Sequence, residues 1–87
     1  MAETHGVAIK GPPFAFDPNS LTIKAGDTVE WTNQTGVLHS VTPNKGEFPS
    51  HDIPANGTFS YTFTAASSVA YHCRIHPNMT GTVNVTA

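Results

Sequence analysis

Ser20-Leu21-Thr22-Ile23-Lys24-Ala25-Gly26-Asp27-Thr28-Val29-Glu30-Trp31-Thr32-Asn33 carries the pattern that decides the architecture. Leu21 and Ile23 alternate with polar neighbours, and so do Val29 and Trp31. Successive side chains of a strand point to opposite faces, so each half of this stretch offers one apolar face to a core. Ala25-Gly26-Asp27 between the halves reads as a tight turn. The alternation recurs at Phe59, Tyr61 and Phe63, and again at Val83 and Val85. Together with Gly, Pro and Asn breakers roughly every 8–12 residues, this predicts an all-β sandwich or barrel. Strands are expected over residues 6–10, 20–24, 28–33, 39–42, 58–64, 69–73 and 82–86. No stretch sustains a helical period. Residues 11–19 contain three prolines, and residues 42–56 contain Pro43, Gly46, Pro49 and Pro54. Both read as loops, the second long enough for a function or a short irregular helix.

Eighty-seven residues make one domain, 1–87. A chain this short buries only about 60% of its unfolded surface, a shortfall that a bound metal could make good. Charged residues are only 11% and the net charge is −2. The four basic residues, Lys10, Lys24, Lys45 and Arg74, are scattered, which leaves no basic patch for nucleic acid. No polybasic run or long apolar stretch suggests a membrane span. No signal-peptide pattern is seen, and the sequence is expected to be that of a mature form. A single cysteine excludes an intrachain disulfide, and five histidines tilt that cysteine's role towards metal ligation.

The chemistry converges on Tyr71-His72-Cys73-Arg74-Ile75-His76-Pro77-Asn78-Met79. Cys73 ends an expected strand, with His76 three residues later and Met79 six. This spacing lets a thiolate, an imidazole and a thioether fold round one point. Soft sulfur ligands favour copper(I), imidazole suits both copper oxidation states, and two His with one Cys and a weak axial Met make an electron-transfer copper site. A second imidazole must come from elsewhere. His39 is best placed, at the head of the alternating run His39-Ser40-Val41-Thr42. His51, in the proline-rich stretch, remains the other candidate. Strand alternation sends His72 away from the Cys73 face, and His5 is expected to be exposed. A structural zinc site is disfavoured, because such sites usually take more thiolates or harder ligands. Trp31, Phe59, Tyr61, Phe63 and Tyr71 are read as core, and Arg74 as a solvated charge.

These residues resemble the cupredoxins, the small blue copper proteins. The likeness runs from about Phe14 and includes Phe16-x-Pro18-x-x-Leu21-x-Ile23-x-x-Gly26-Asp27-Thr28-Val29-x-Trp31-x-Asn33, His39-Ser40-Val41 and Thr58-Phe59-x-Tyr61-x-Phe63. It closes with Tyr71-His72-Cys73-x-x-His76-Pro77-x-Met79-x-Gly81-x-Val83. The short Cys-x-x-His-x-x-Met loop is similar to that of the amicyanin branch, with plastocyanins and pseudoazurins more distant. The resemblance implies a Greek-key two-sheet β-sandwich holding one type 1 copper ion through His39, Cys73, His76 and Met79.

It further implies a periplasmic or otherwise extracytoplasmic one-electron carrier, monomeric and not an enzyme. Redox partner proteins would dock at an apolar rim of Val37, Leu38, Ile75, Pro77 and Phe14 around His76. The alternative is a copper oxidoreductase acting on a small molecule at an open axial position, should Met79 turn away. Two departures from the family concern the surroundings of the metal. Ile75 replaces the usual proline and is expected to offer its N–H to the thiolate. Ser40 replaces the usual asparagine that ties the two ligand loops together. Gly81 is expected to let the chain turn into the last strand.

Overall fold

The computed structural model describes residues 2–87. Nine strands form: β1 (Thr4–Lys10), β2 (Ala15–Asp17), β3 (Ser20–Lys24), β4 (Thr28–Asn33), β5 (His39–Pro43), β6 (His51–Ile53), β7 (Thr58–Thr62), β8 (Ser67–His72) and β9 (Thr80–Thr86). They build a four-stranded sheet, β2-β1-β4-β7, and a five-stranded sheet, β3-β9-β8-β5-β6. Strands β1 and β4 pair in parallel, as do β3 and β9; the other pairs are antiparallel. Parallel neighbours cannot be joined by a hairpin, so the chain crosses between sheets, as in a Greek-key sandwich.

The seven expected strands are all present, two with the expected ends and the others with ends shifted by at most two residues. The edge strand β2 and the short β6 lie in the two segments read as loops. Proline density hid both: each strand is only three residues long, too short for alternation to register. The turn at Ala25-Gly26-Asp27 is real, with Gly26 at φ 97°, but it does not close a hairpin. It carries the chain from β3 in one sheet to β4 in the other.

Alternation then does what the sequence promises. Ile23, Val29, Trp31, Phe63, Val83 and Val85 fill the space between the sheets with Val7, Ile9, Phe16 and Tyr71. Trp31 meets Tyr71 edge-on at 5.5 Å and stacks on Phe59 at 5.7 Å, favourable arrangements for aromatic pairs. Gly81 sits inside β9 rather than at a turn. A Cβ there would run into the Tyr71 ring and lie 2.5 Å from its hydroxyl. The residue is therefore small to admit Tyr71, not to supply an unusual backbone angle.

At one end of the sandwich Asp27 accepts hydrogen bonds from the Glu3 and Lys24 amides and pairs with His5 at 3.0 Å. His5 is thus half-buried and partnered, not the free surface histidine expected. The Glu3 amide, then His5, then the Lys24 amide hold the Asp27 carboxyl down at about 2. The other end carries the site.

Candidate metal centre

Two segments converge there. His39 opens β5, Cys73 follows the last residue of β8, and His76 lies on the loop into β9. Two main-chain bonds close that loop: the Met79 amide donates to the His76 carbonyl at 2.9 Å, and the Cys73 amide to the Met79 carbonyl at 3.1 Å. Cys73, His76 and Met79 are brought to one place by this fold-back. Met79 is buried, and with Phe14, Ile75, His76 and Pro77 it lines an apolar depression of about 380 Å³.

The Cys73 Sγ lies 3.8 Å from His39 Nδ1 and 3.6 Å from His76 Nδ1. A first-row metal with bonds of about 2.0 Å to nitrogen and 2.3 Å to sulfur, roughly 120° apart, requires a nitrogen–sulfur separation of about 3.7 Å. Both nitrogen–sulfur sides of the donor triangle match that separation, and its three donor atoms all lie within 4.8 Å of one another. Its chemistry, one thiolate and two imidazoles with a thioether nearby, suits copper.

Water is kept from most of this triangle. His39 and Cys73 are completely buried, whereas His76 is half-buried. Phe14 packs against both imidazoles, with ring centroids 4.7 Å from His39 and 4.8 Å from His76. Burial, and then the neighbouring charge of His76, holds His39 below the ordinary histidine value. A neutral imidazole is the form a metal needs.

The surroundings of the sulfur differ from expectation at one point. Its amide donor is Ser40, at 3.3 Å. Among the described residues Ile75 makes no hydrogen bond to the sulfur; its side chain is 39% exposed on the rim instead. Ser40 does tie the two ligand segments, as its hydroxyl accepts from the Arg74 amide at 2.9 Å. A second tie was not legible in the sequence. Arg74, read as a free surface charge, forms a two-pronged pair with Asp52 of β6, at 3.0 and 2.6 Å. The guanidinium holds the Asp52 carboxyl below its ordinary value. Arg–carboxylate forks of this kind add geometric definition as well as energy.

The remaining histidines lie outside the triangle. His51, the other candidate for the second imidazole, is exposed and stacks on Phe59 at 4.2 Å. His72 faces away and bonds Asn44 at 2.6 Å. A second group of possible ligand atoms, from Glu3, His5 and Asp27, also comes together, but the Asp27 oxygens there are already engaged by two amides and His5.

Residues 3–86 match the family described as copper binding proteins, plastocyanin/azurin family. The plastocyanin of Scenedesmus fuscus is 35% identical over 83 residues, covering 80% of this chain and 85% of that one. The amicyanin of Paracoccus versutus is 37% identical over 70 residues, 75% of this chain and 53% of that one. The chain spans half the length of the chloroplastic plastocyanin of Tetradesmus obliquus. The crystal structure of Paracoccus versutus amicyanin superposes with a TM-score of 0.82 over 94% of this chain and 80% of that one, at 30% identity. Fold, donor triangle and sequence agree, and the chain belongs to the copper-binding plastocyanin/azurin family.

Proposed function

We propose that this protein is a one-electron carrier, not an enzyme, with one type 1 copper ion held by His39 Nδ1, Cys73 Sγ, His76 Nδ1 and the Met79 thioether. The observation that carries the reading is the donor triangle, 3.6 and 3.8 Å on its nitrogen–sulfur sides, buried everywhere except at His76. When bound, copper supplies a one-electron couple that soft sulfur and imidazole donors serve in both oxidation states. The chain's part is to keep the donors where they already are. A site that rearranges little loses little energy to reorganisation when charge changes. The buried sides exclude water, and the Ser40 amide withdraws electron density from the thiolate.

His76 is the port. It is the one donor of the triangle that reaches the surface, and Val37, Leu38 and Ile75 stand exposed in the adjoining segments. Redox partner proteins dock on this apolar rim, with the protein acting as a monomer. The relatives include amicyanins and chloroplastic plastocyanins, which supports an extracytoplasmic carrier, in the periplasm for a bacterial host. No helix among the described residues is long and apolar enough to cross a membrane. The buried position of Met79 speaks against an open axial site for small molecules.

Absorption and EPR spectra of the copper-loaded protein test the proposal. An intense blue thiolate-to-copper band that disappears in Cys73→Ser is expected. Persistence of the colour in that variant, or its absence from the native protein, overturns the assignment.

A further inference from the structure

Resting on the carrier reading, we propose that Asn33 is a positioning residue for the metal: its carboxamide holds His39 in ligating position before copper arrives. His39 is the first residue of β5, so its backbone is fixed from two directions. On one side it is paired with Ile53 of β6. On the other it is reached through residues 34–38, which form no strand. Asn33, the last residue of β4, is completely buried and grips both sides.

Its Nδ2 donates to the carbonyls of Val37 at 2.8 Å, Ile53 at 3.0 Å and Pro54 at 3.2 Å. Its Oδ1 accepts from the Thr35 amide at 2.9 Å and the Thr35 hydroxyl at 2.7 Å. Val37 lies two residues before His39, and Ile53 is its cross-strand neighbour, so one side chain sets both flanks of the ligand. The main chain of Asn33 is anchored as well, by Gly57 and Asn56, each at 2.9 Å. Only an amide fits this position, because carbonyls face one end of the side chain and two donors face the other. An aspartate would turn an acceptor towards three carbonyl oxygens.

The second ring nitrogen of His39 gives the ring no anchor of its own. Metal-ligating histidines usually donate that nitrogen to a carbonyl or carboxylate, which orients the ring. Among the described residues no group pairs with the buried Nε2 of His39. The ring is then oriented by the backbone it hangs from, by Phe14 packed edge-on against it and by the tilted His76 ring at 4.7 Å. Its backbone position is what Asn33 controls.

The test compares Asn33→Ala, Asn33→Asp and Thr35→Val with Val85→Ala, a core change that touches neither ligand segment. Three quantities are read: amide hydrogen exchange of residues 37–40 in the metal-free protein, copper affinity, and the visible band of the loaded protein. Both Asn33 variants should speed exchange in residues 37–40, lower copper affinity about tenfold or more, and shift the band. Thr35→Val should move all three in the same direction by less. Val85→Ala should lose stability and speed exchange no more in residues 37–40 than in the other strands, with copper affinity and the band left near native. Native exchange, affinity and band in the Asn33 variants overturn the proposal; so does the same result in Thr35→Val if the Asn33 variants fail to fold. A native protein that takes copper without the intense band overturns the carrier reading, and the exchange and affinity measurements still decide the role of Asn33.

Discussion

The amide nitrogen of Ser40 lies 3.3 Å from the Cys73 sulfur, so the strand that carries one imidazole also hydrogen-bonds the thiolate carried by another. This contact belongs to the main chain and survives a change of side chain. The Ser40 hydroxyl is a separate device, accepting from the Arg74 amide one residue beyond the thiolate.

Ser40→Ala should separate the two. The Arg74 amide loses its acceptor while the amide-to-sulfur contact stays. The hydroxyl's contact with Thr42 at 3.0 Å is lost as well, so a stability loss of about 1–3 kcal/mol is expected, the scale of two hydrogen bonds, with the visible band unmoved. Thermal melts and absorption spectra of the same copper-loaded sample check this. A displaced band would mean that the hydroxyl acts on the sulfur itself and is more than a tie.

Acid should loosen the end of the sandwich remote from the site through Asp27. Its carboxyl sits at about 2, held down by the Glu3 amide, His5 and the Lys24 amide. A folded-state value below the unfolded one means that the folded protein resists protonation. The contribution is complete above the ordinary aspartate range near pH 4, and is lost as pH falls from there through 2. Asp52, held down by Arg74, acts in the same direction. Melting temperatures of the metal-free protein should therefore fall between pH 4 and 2, and fall less in Asp27→Asn. Equal slopes in the two proteins would remove Asp27 from the account.

Met79 separates carriage from catalysis. Its thioether is buried beside the triangle, and a weak sulfur ligand favours copper(I) over a harder oxygen donor. Met79→Ala should lower the reduction potential and admit azide, which the native protein should bind poorly. The cavity left behind should cost about 2–5 kcal/mol of stability. Titration with azide, followed optically, gives the answer. Ready binding to the native protein, unchanged by Met79→Ala, would make Met79 packing and the copper an open site.

Sequence carried the centre of this molecule further than its margins. Alternation located the core because Val29, Trp31, Val83 and Val85 repeat with the period of a strand facing one core. The triangle was legible because Cys73 and His76 are three residues apart, and because His39 begins a run whose alternation was visible. What escaped depends on pairing between distant segments. Strand β6 is three residues long, and only its register against His39, Ser40 and Val41 reveals it. The Arg74–Asp52 fork joins positions 22 residues apart in sequence. Asn33 stood out only as one letter in a family signature; its hold on Val37 and Ile53 is a property of the folded loop. Ile75 shows the opposite failure. An available N–H was taken as a bond to the sulfur, but availability does not set direction.

The rim around His76 should govern how fast electrons leave. Val37, Leu38 and Ile75 are 44%, 41% and 39% exposed, and they lie in the two segments that carry His39 and His76, within two residues of one or the other. Two copies of the protein exchanging an electron must bring these rims together, so self-exchange measured by NMR line broadening needs no partner to be identified. Leu38→Asp places a carboxylate where the rims meet. It removes a contact worth about 1.5–3 kcal/mol when buried and sets like charges against each other, so self-exchange should slow by roughly tenfold or more. The reduction potential should hardly change, because the donor set is untouched. With a net charge of only −2, the native rate should also vary weakly with salt. A native rate that rises steeply with ionic strength, or a Leu38→Asp rate equal to the native one, would move the port away from this rim.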